Sequence, residues 1–292
     1  MRVRVGDVRL HVEVEGPGLV ADGPKLRERP TILLLHGGPG FDHSSLRSHF
    51  EPLADTAQLV YIDHRGQGRS DESSPERWNL ETWIDDVAGL CDILGIDRPI
   101  LLGHSFGGMV AQGVAIRYPE LPSGLVLSNT TAKFRTDLAL EMFERLGDEE
   151  ARAVAEAYFG KPSVEALERY MEVCYPLYGT TQPDPEVRAR IVARPEVGVH
   201  FFAEEIHTYD FRDELRRIAC PTLVLVGDVD PITPVACSRE LAEGIAGAHL
   251  EVVANAGHAP FRDQPETTLS AIRSFVTRGA HRLVDMSARG CT

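Results

Sequence analysis

The hexapeptide Gly103-His104-Ser105-Phe106-Gly107-Gly108 sets a serine between glycines, directly after the apolar run PILL and at the start of the amphipathic stretch FGGMVAQGVAIRYP. A strand, a sharp turn and a helix in that order lift a hydroxyl above a sheet as an exposed nucleophile. Gly103 and Gly107 leave room where side chains would collide. The competing use of Ser105 is as the N-cap of that helix. A serine hydroxyl at its ordinary pKa is a poor nucleophile and needs a positioned base. Of the eleven histidines, His258 is the best placed, in the glycine-containing loop ANAGHAPFRDQPE between the last apolar run and the last helical stretch. His11 and His249 lie in strand patterns, and His104 beside the serine reads as a packing residue. A base of this kind is held in one tautomer by a carboxylate. TLVLVGDVDPITP offers Asp228 and Asp230 after a strand, in the chain order serine, acid, histidine. Asp230 is preferred because it lies further into the loop and is followed by two prolines.

Acyl transfer through a tetrahedral intermediate also needs two backbone N–H donors aimed at the developing oxyanion. One comes from the residue after the nucleophile, Phe106. The other comes from an earlier strand-to-helix loop, which explains His36-Gly37-Gly38-Pro39-Gly40 after the run ILLL. Gly38 can turn its N–H into the site, and Pro39 stiffens the turn.

These residues need elements to hold them. VRVGDVRLHVEVEG alternates around a Gly-Asp and predicts an N-terminal hairpin. Apolar runs recur at TILLLH, QLVYID, PILLGH, GLVLSN, TLVLVGD and HLEVVAN, with helix-length stretches such as 80–95, 107–120 and 266–276 between most of them. That alternation predicts an α/β fold with a mainly parallel sheet flanked by helices. Between Asn129 and Thr222 the rhythm stops. Residues 131–209 read as a helical insertion over the carboxyl ends of the strands, splitting a core formed by 1–130 and 210–292. The insertion holds 10 of the 20 aromatic residues, enough to pack it on the sheet and still line an apolar pocket. With 15 acidic against 9 basic residues it is the more acidic part of the chain.

The net charge of −14 argues against nucleic acid or an anionic membrane surface as partner, because both need a basic face, and a small molecule or short peptide is the expected substrate. No stretch approaches a membrane span and the N-terminus has no signal-peptide core, so a cytoplasmic location is expected. The five cysteines are scattered, without metal-ligand spacing, and read as reduced thiols; no metal or cofactor is expected. Oligomeric state is left open.

Over residues 2–277 the chain resembles the α/β-hydrolase fold family, and HGGPG (36–40), DHRGQGRSD (63–71) and DPITP (230–234) resemble its prolyl aminopeptidase (proline iminopeptidase) branch. The resemblance implies a Ser105–Asp230–His258 triad, an oxyanion hole from Gly38 and Phe106, and loop-shaping roles for Asp63, Arg65 and Ser70. It also implies glutamates that hold the substrate's α-amine, for which Glu204 and Glu205 in FFAEEIHTYD are the match. The elbow has phenylalanine where that branch usually has tryptophan, and Pro231 stands where many members have glutamate. GHSFGG looks more like esterases and lactonases. The sequence therefore points to a serine hydrolase. Release of an N-terminal Pro or Ala ranks first, ester or lactone hydrolysis second, and a ligand-sensing protein with a retained triad third.

Overall fold

Continuous apolar runs become strands here because both faces of the sheet are covered. The computed structural model describes residues 1–289. β1 (Arg2–Val5) and β2 (Val8–Glu15) form the antiparallel hairpin expected at the N-terminus, closed with Val5 opposite Val8. A second hairpin, β3 (Leu19–Asp22) with β4 (Lys25–Glu28), stands apart from the main sheet and is largely exposed. The apolar runs supply β5 (Thr31–Leu35), β6 (Gln58–Ile62), β7 (Ile100–His104), β8 (Gly124–Ser128), β9 (Thr222–Gly227) and β10 (His249–Val253).

The main sheet has eight strands in the order β1-β2-β6-β5-β7-β8-β9-β10, parallel from β6 to β10 and antiparallel at β1/β2 and β2/β6. β5 has β6 on one side and β7 on the other. The chain therefore reverses its winding direction there, and the loops after β5 and β7 meet where open α/β sheets bind ligands.

Period-two alternation sorts the core into two layers. Leu33, Leu35, Leu101, Leu125, Leu127 and Val224 pack on one face with Trp83, Val110 and Leu241. Ile32, Leu34, Ile100, Leu102, Val126 and Leu225 pack on the other with Phe50, Phe261 and Ile272. The helices that supply these partners are α1 (Ser44–Phe50), α2 (Leu80–Leu94) and α3 (Phe106–Arg117), followed late in the chain by three more. α2 shows the local logic. Asn79 accepts from the Thr82 N–H to cap its start, Gly95 at φ 62° ends it, and Leu80, Trp83, Ile84, Val87 and Leu90 share one buried stripe.

Between β8 and β9 the described residues contain no strand. They form α4 (Thr136–Leu146), α5 (Glu149–Gly160), α6 (Val164–Val173), α7 (Pro185–Arg190), α8 (Pro195–Ala203) and α9 (Glu205–Thr208). Asp148 and Ser163 cap α5 and α6 by accepting from Ala151 N–H and Ala166 N–H. After β9 come α10 (Val235–Gly244), α11 (Pro260–Asp263) and α12 (Pro265–Arg289). Among the described residues no helix is long and apolar enough to cross a membrane. Cys91, Cys174, Cys220 and Cys237 are free and buried, while Cys291 lies outside the described residues.

Candidate active site

Ser105 sits between β7 and α3 with φ 54° and ψ −119°, a backbone conformation that costs a non-glycine residue on the order of 1–3 kcal/mol. The surroundings hold it there. Its N–H donates to Ser128 O at 2.9 Å, and its carbonyl accepts from Thr130 Oγ1 at 2.7 Å and from Gly108 N–H at 2.9 Å. The glycines are forced by close approach. A Cβ at Gly103 would lie 2.4 Å from Gly107 O, and one at Gly107 would lie 2.1 Å from Leu35 O. The hydroxyl-bearing residue is 9% exposed and opens onto a cavity.

His258 lines the same cavity and is tied to the acid behind it. Its Nδ1 lies 3.0 Å from both oxygens of Asp230, which is fully buried. Burial alone would raise the Asp230 carboxyl. The attraction of His258 and hydrogen bonds from His258, Asn129 and Thr233 outweigh it and hold the group well below the usual carboxylate range. An ionised carboxylate only accepts, so Nδ1 carries a hydrogen, and in the neutral ring Nε2 keeps its lone pair. The structure thus brings His258 against Asp230. Asp228 is turned elsewhere, its Oδ1 accepting from Ala256 N–H at 3.2 Å. Asn129, which the sequence reading did not single out, donates Nδ2 to Asp230 Oδ2 at 2.8 Å and to Gly257 O at 3.0 Å. His104 packs against the rings of His258 and Phe261, each 5.0 Å away. Burial and then the charge of His258 push its pKa well down, so it stays neutral.

The glycine loop after β5 lies against the elbow. A Cβ at Gly37 would stand 3.2 Å from Ser105 Cβ, and Gly38 takes φ 127°. The loop is propped from behind by the 63–71 segment. Gln67 Oε1 accepts from Gly40 N–H at 2.7 Å, and Asp63 accepts from the N–H groups of His43 and Arg69 at 2.9 and 2.8 Å. Arg65 bonds both oxygens of Asp86 on α2 at 2.7 Å, and Ser70 Oγ donates to Asp63 O at 2.6 Å. Gly38 borders the cavity with Ser105. The Phe106 ring is buried against Trp83 and Phe201, which leaves its first-turn N–H as what it can offer a substrate.

The cavity measures about 860 Å³ and is walled largely by the β8–β9 segment, whose apolar side chains there include the aromatic Phe134, Tyr158, Tyr170, Phe201 and Phe202. The carboxylates along its lining, Glu168, Glu172 and Asp184, all belong to exposed residues. Arg262, half-buried in the lining, is paired with Asp263 at 3.2 Å. Glu204 and Glu205 are not in the wall, contrary to the expectation of an amine clamp. The helix breaks at Glu204, between α8 and α9, which leaves that side chain in solvent. Ile206 takes the position facing the cavity, and Glu205 turns away to accept from the Leu80 N–H at 3.0 Å, capping α2 beside a separate cleft.

Two seams fasten the β8–β9 segment to the loops of the site. At the glycine loop, Arg194 N–H donates to Gly40 O at 2.7 Å and Val192 N–H to Asp42 at 2.9 Å. At the histidine loop, His258 N–H donates to Tyr178 O at 2.6 Å, and the buried Asp263 carboxylate gathers donors from both sides. It accepts from Gly257 N–H at 2.8 Å, Thr180 N–H at 3.0 Å, Thr181 N–H at 3.2 Å and Thr181 Oγ1 at 2.6 Å.

A family model described as "alpha/beta hydrolase fold" matches residues 30–265, and the chain belongs to that family. It is a hydrolase. Its relatives include proline iminopeptidase PfmaB of Pestalotiopsis fici, 29% identical over 281 residues that span 91% of this chain and 99% of that protein. The putative carbamate hydrolase RutD of Rhizobium rhizogenes is also 29% identical, covering 91% of this chain and 97% of its own. Among solved structures, a thermophilic esterase from Thermogutta terrifontis superposes with a TM-score of 0.73 at 29% identity, covering 96% of this chain and 99% of that one.

Proposed function

We propose that the chain is a serine hydrolase of carboxylic esters with a bulky, uncharged, mainly apolar group, and that residues 131–209 form its cap. Ser105 is the nucleophile, His258 the base and Asp230 the residue that orients it. As Oγ attacks the carbonyl carbon, its proton passes to His258 Nε2. The N–H groups of Gly38 and Phe106 stabilise the oxyanion. Collapse expels the alkoxide, which takes the proton from Nε2 and leaves an acyl-serine. Water then attacks the acyl carbon, giving its proton to the same nitrogen, and the second collapse returns that proton to Oγ and frees the acid.

One observation carries the choice of substrate. The cavity beside Ser105 is lined by many aliphatic and aromatic side chains, and every carboxylate in its lining belongs to an exposed residue. A substrate ammonium inside it would be a buried charge without a partner. The second reading, release of an N-terminal residue from a peptide, is favoured by Glu168 and Glu172, which could hold an amine at the opening, and by relatives named proline iminopeptidases. Comparing kcat/KM for p-nitrophenyl esters of increasing acyl length with Pro- and Ala-p-nitroanilides separates the two. The ester reading requires rising values with acyl length and little anilide turnover. Anilide turnover that exceeds ester turnover and falls in Glu168→Gln or Glu172→Gln supports the second.

A further inference from the structure

Behind the glycine loop lies a cluster of side chains that the proposed chemistry does not use. His11 and Glu13 stand two residues apart on β2, and so on the same face of the strand. His43 lies on the loop that leads from Gly38 into α1. His11 Nε2 is 3.1 Å from Glu13 Oε1 and His43 Nε2 is 3.6 Å from Glu13 Oε2, with one ligand atom from each residue lying within 4.8 Å of the others. Donors bound at about 2.0–2.1 Å to a tetrahedral ion lie about 3.3 Å apart, so separations of up to 4.8 Å must close by no more than about 1.5 Å.

The orientation of His43 is fixed independently. Its Nδ1 is 2.6 Å from Oδ1 of Asp63, a carboxylate with no solvent exposure, and this turns Nε2 toward Glu13. A carboxylate behind an imidazole is the arrangement that aims metal-ligating histidines and raises their basicity. Side-chain exposures of 15% for His11, 28% for Glu13 and 3% for His43 leave the pocket largely dry yet reachable from solvent.

We propose that His11, Glu13 and His43 bind one divalent transition-metal ion of the zinc class, with water completing the coordination. Two imidazoles and a carboxylate suit such an ion rather than magnesium or calcium. The site is structural. It fastens β2 to the loop that carries Gly38, away from the cavity. Arg47 is its competitor. Its guanidinium contacts Glu13 and lies 3.5 Å from Glu15, so an incoming ion displaces it onto Glu15.

The test uses full-length, chelator-treated protein titrated calorimetrically with Zn²⁺, with Co²⁺ absorption as a second readout and thermal unfolding as a third. The expected result is one ion per chain and a thermal midpoint raised by the metal. His11→Ala and Glu13→Gln should each weaken binding about 10- to 100-fold and remove the thermal shift, while leaving ester hydrolysis unchanged. Arg47→Ala should tighten binding about two- to fivefold, the equivalent of one exposed ion pair. Absence of stoichiometric binding overturns the proposal. So does binding that survives both His11→Ala and Glu13→Gln, which would locate the ion at other histidines, or weaker binding in Arg47→Ala.

Discussion

Replacing Asp263 by asparagine takes one acceptor oxygen away from a carboxylate that serves five donors, three in the 180–181 segment and two in the 257–262 loop. One carboxylate oxygen receives Gly257 N–H and Thr180 N–H, and the other receives Thr181 N–H and Oγ1 together with Arg262 Nε. Whichever way the amide is turned, its NH₂ faces at least two donors. Two charge-assisted hydrogen bonds at about 1.5–3 kcal/mol each give a loss of about 3–6 kcal/mol, less whatever the loops recover by turning to water. Gly257 adjoins His258, so a loop that turns also moves the His258 ring, the base of the proposed mechanism. A displacement near 1 Å costs on the order of 10²-fold in rate. Urea unfolding gives the stability loss, and kcat for a p-nitrophenyl ester, measured where the variant is fully folded, gives the positioning loss. pH provides an internal control. Burial would raise the Asp263 carboxyl, but the bonds from Thr181, Gly257 and Thr180 lower it below its ordinary value of 3.8. Its stabilising contribution is therefore present above that value and lost as pH falls through the folded one, so wild type and variant should converge in stability on acidification below about pH 4. A variant within about 1 kcal/mol and twofold in kcat of wild type at neutral pH would refute the claim that Asp263 holds the base in place.

Ser105→Ala should lower kcat by about 10⁶ and abolish fluorophosphonate labelling without changing the fold, as checked by labelling and circular dichroism. Asp230→Asn should cost about 10⁴ in kcat, because the amide favours the wrong histidine tautomer, whereas Asp228→Asn, which touches only the Ala256 N–H, should cost less than about tenfold. Glu205→Ala should destabilise the chain by about 1 kcal/mol in urea unfolding, through the start of α2, and leave the ratio of anilide to ester turnover unchanged.

Much of the scaffold is legible in the sequence because its physics is local. Runs such as ILLL and LVLV must be buried on both faces, and they become parallel strands of the main sheet. The glycines around Ser105 are read correctly because each answers a collision within a few residues or with the neighbouring strand. The β3–β4 hairpin escapes notice since an exposed ribbon needs no apolar alternation. Asn129 and Asp263 escape for a different reason. Their partners lie 101 and 83 positions away, and an asparagine after a strand or an aspartate before a helix has many commonplace uses. Glu204 and Glu205 are matched by the family resemblance alone, which carries no information on where the local helix ends. The break at Glu204 resets the rotation and hands the inward position to Ile206.

The two seams between the β8–β9 segment and the loops of the site bear on how such proteins diversify. A roof resting on the sheet through apolar contacts alone could be exchanged between relatives as an independent module. Here the roof shares backbone hydrogen bonds with the turn at Gly40 and with the turn at His258. A graft that keeps both seams therefore has to carry residues 36–43 and 255–263 along with the β8–β9 segment. Grafting the segment alone from a relative would deliver a new pocket shape and, at the same time, a misaligned base and glycine loop. The pocket can be reshaped instead by side-chain changes at Phe134, Tyr158 and Phe202, which line the cavity and take no part in the hydrogen bonds of either seam.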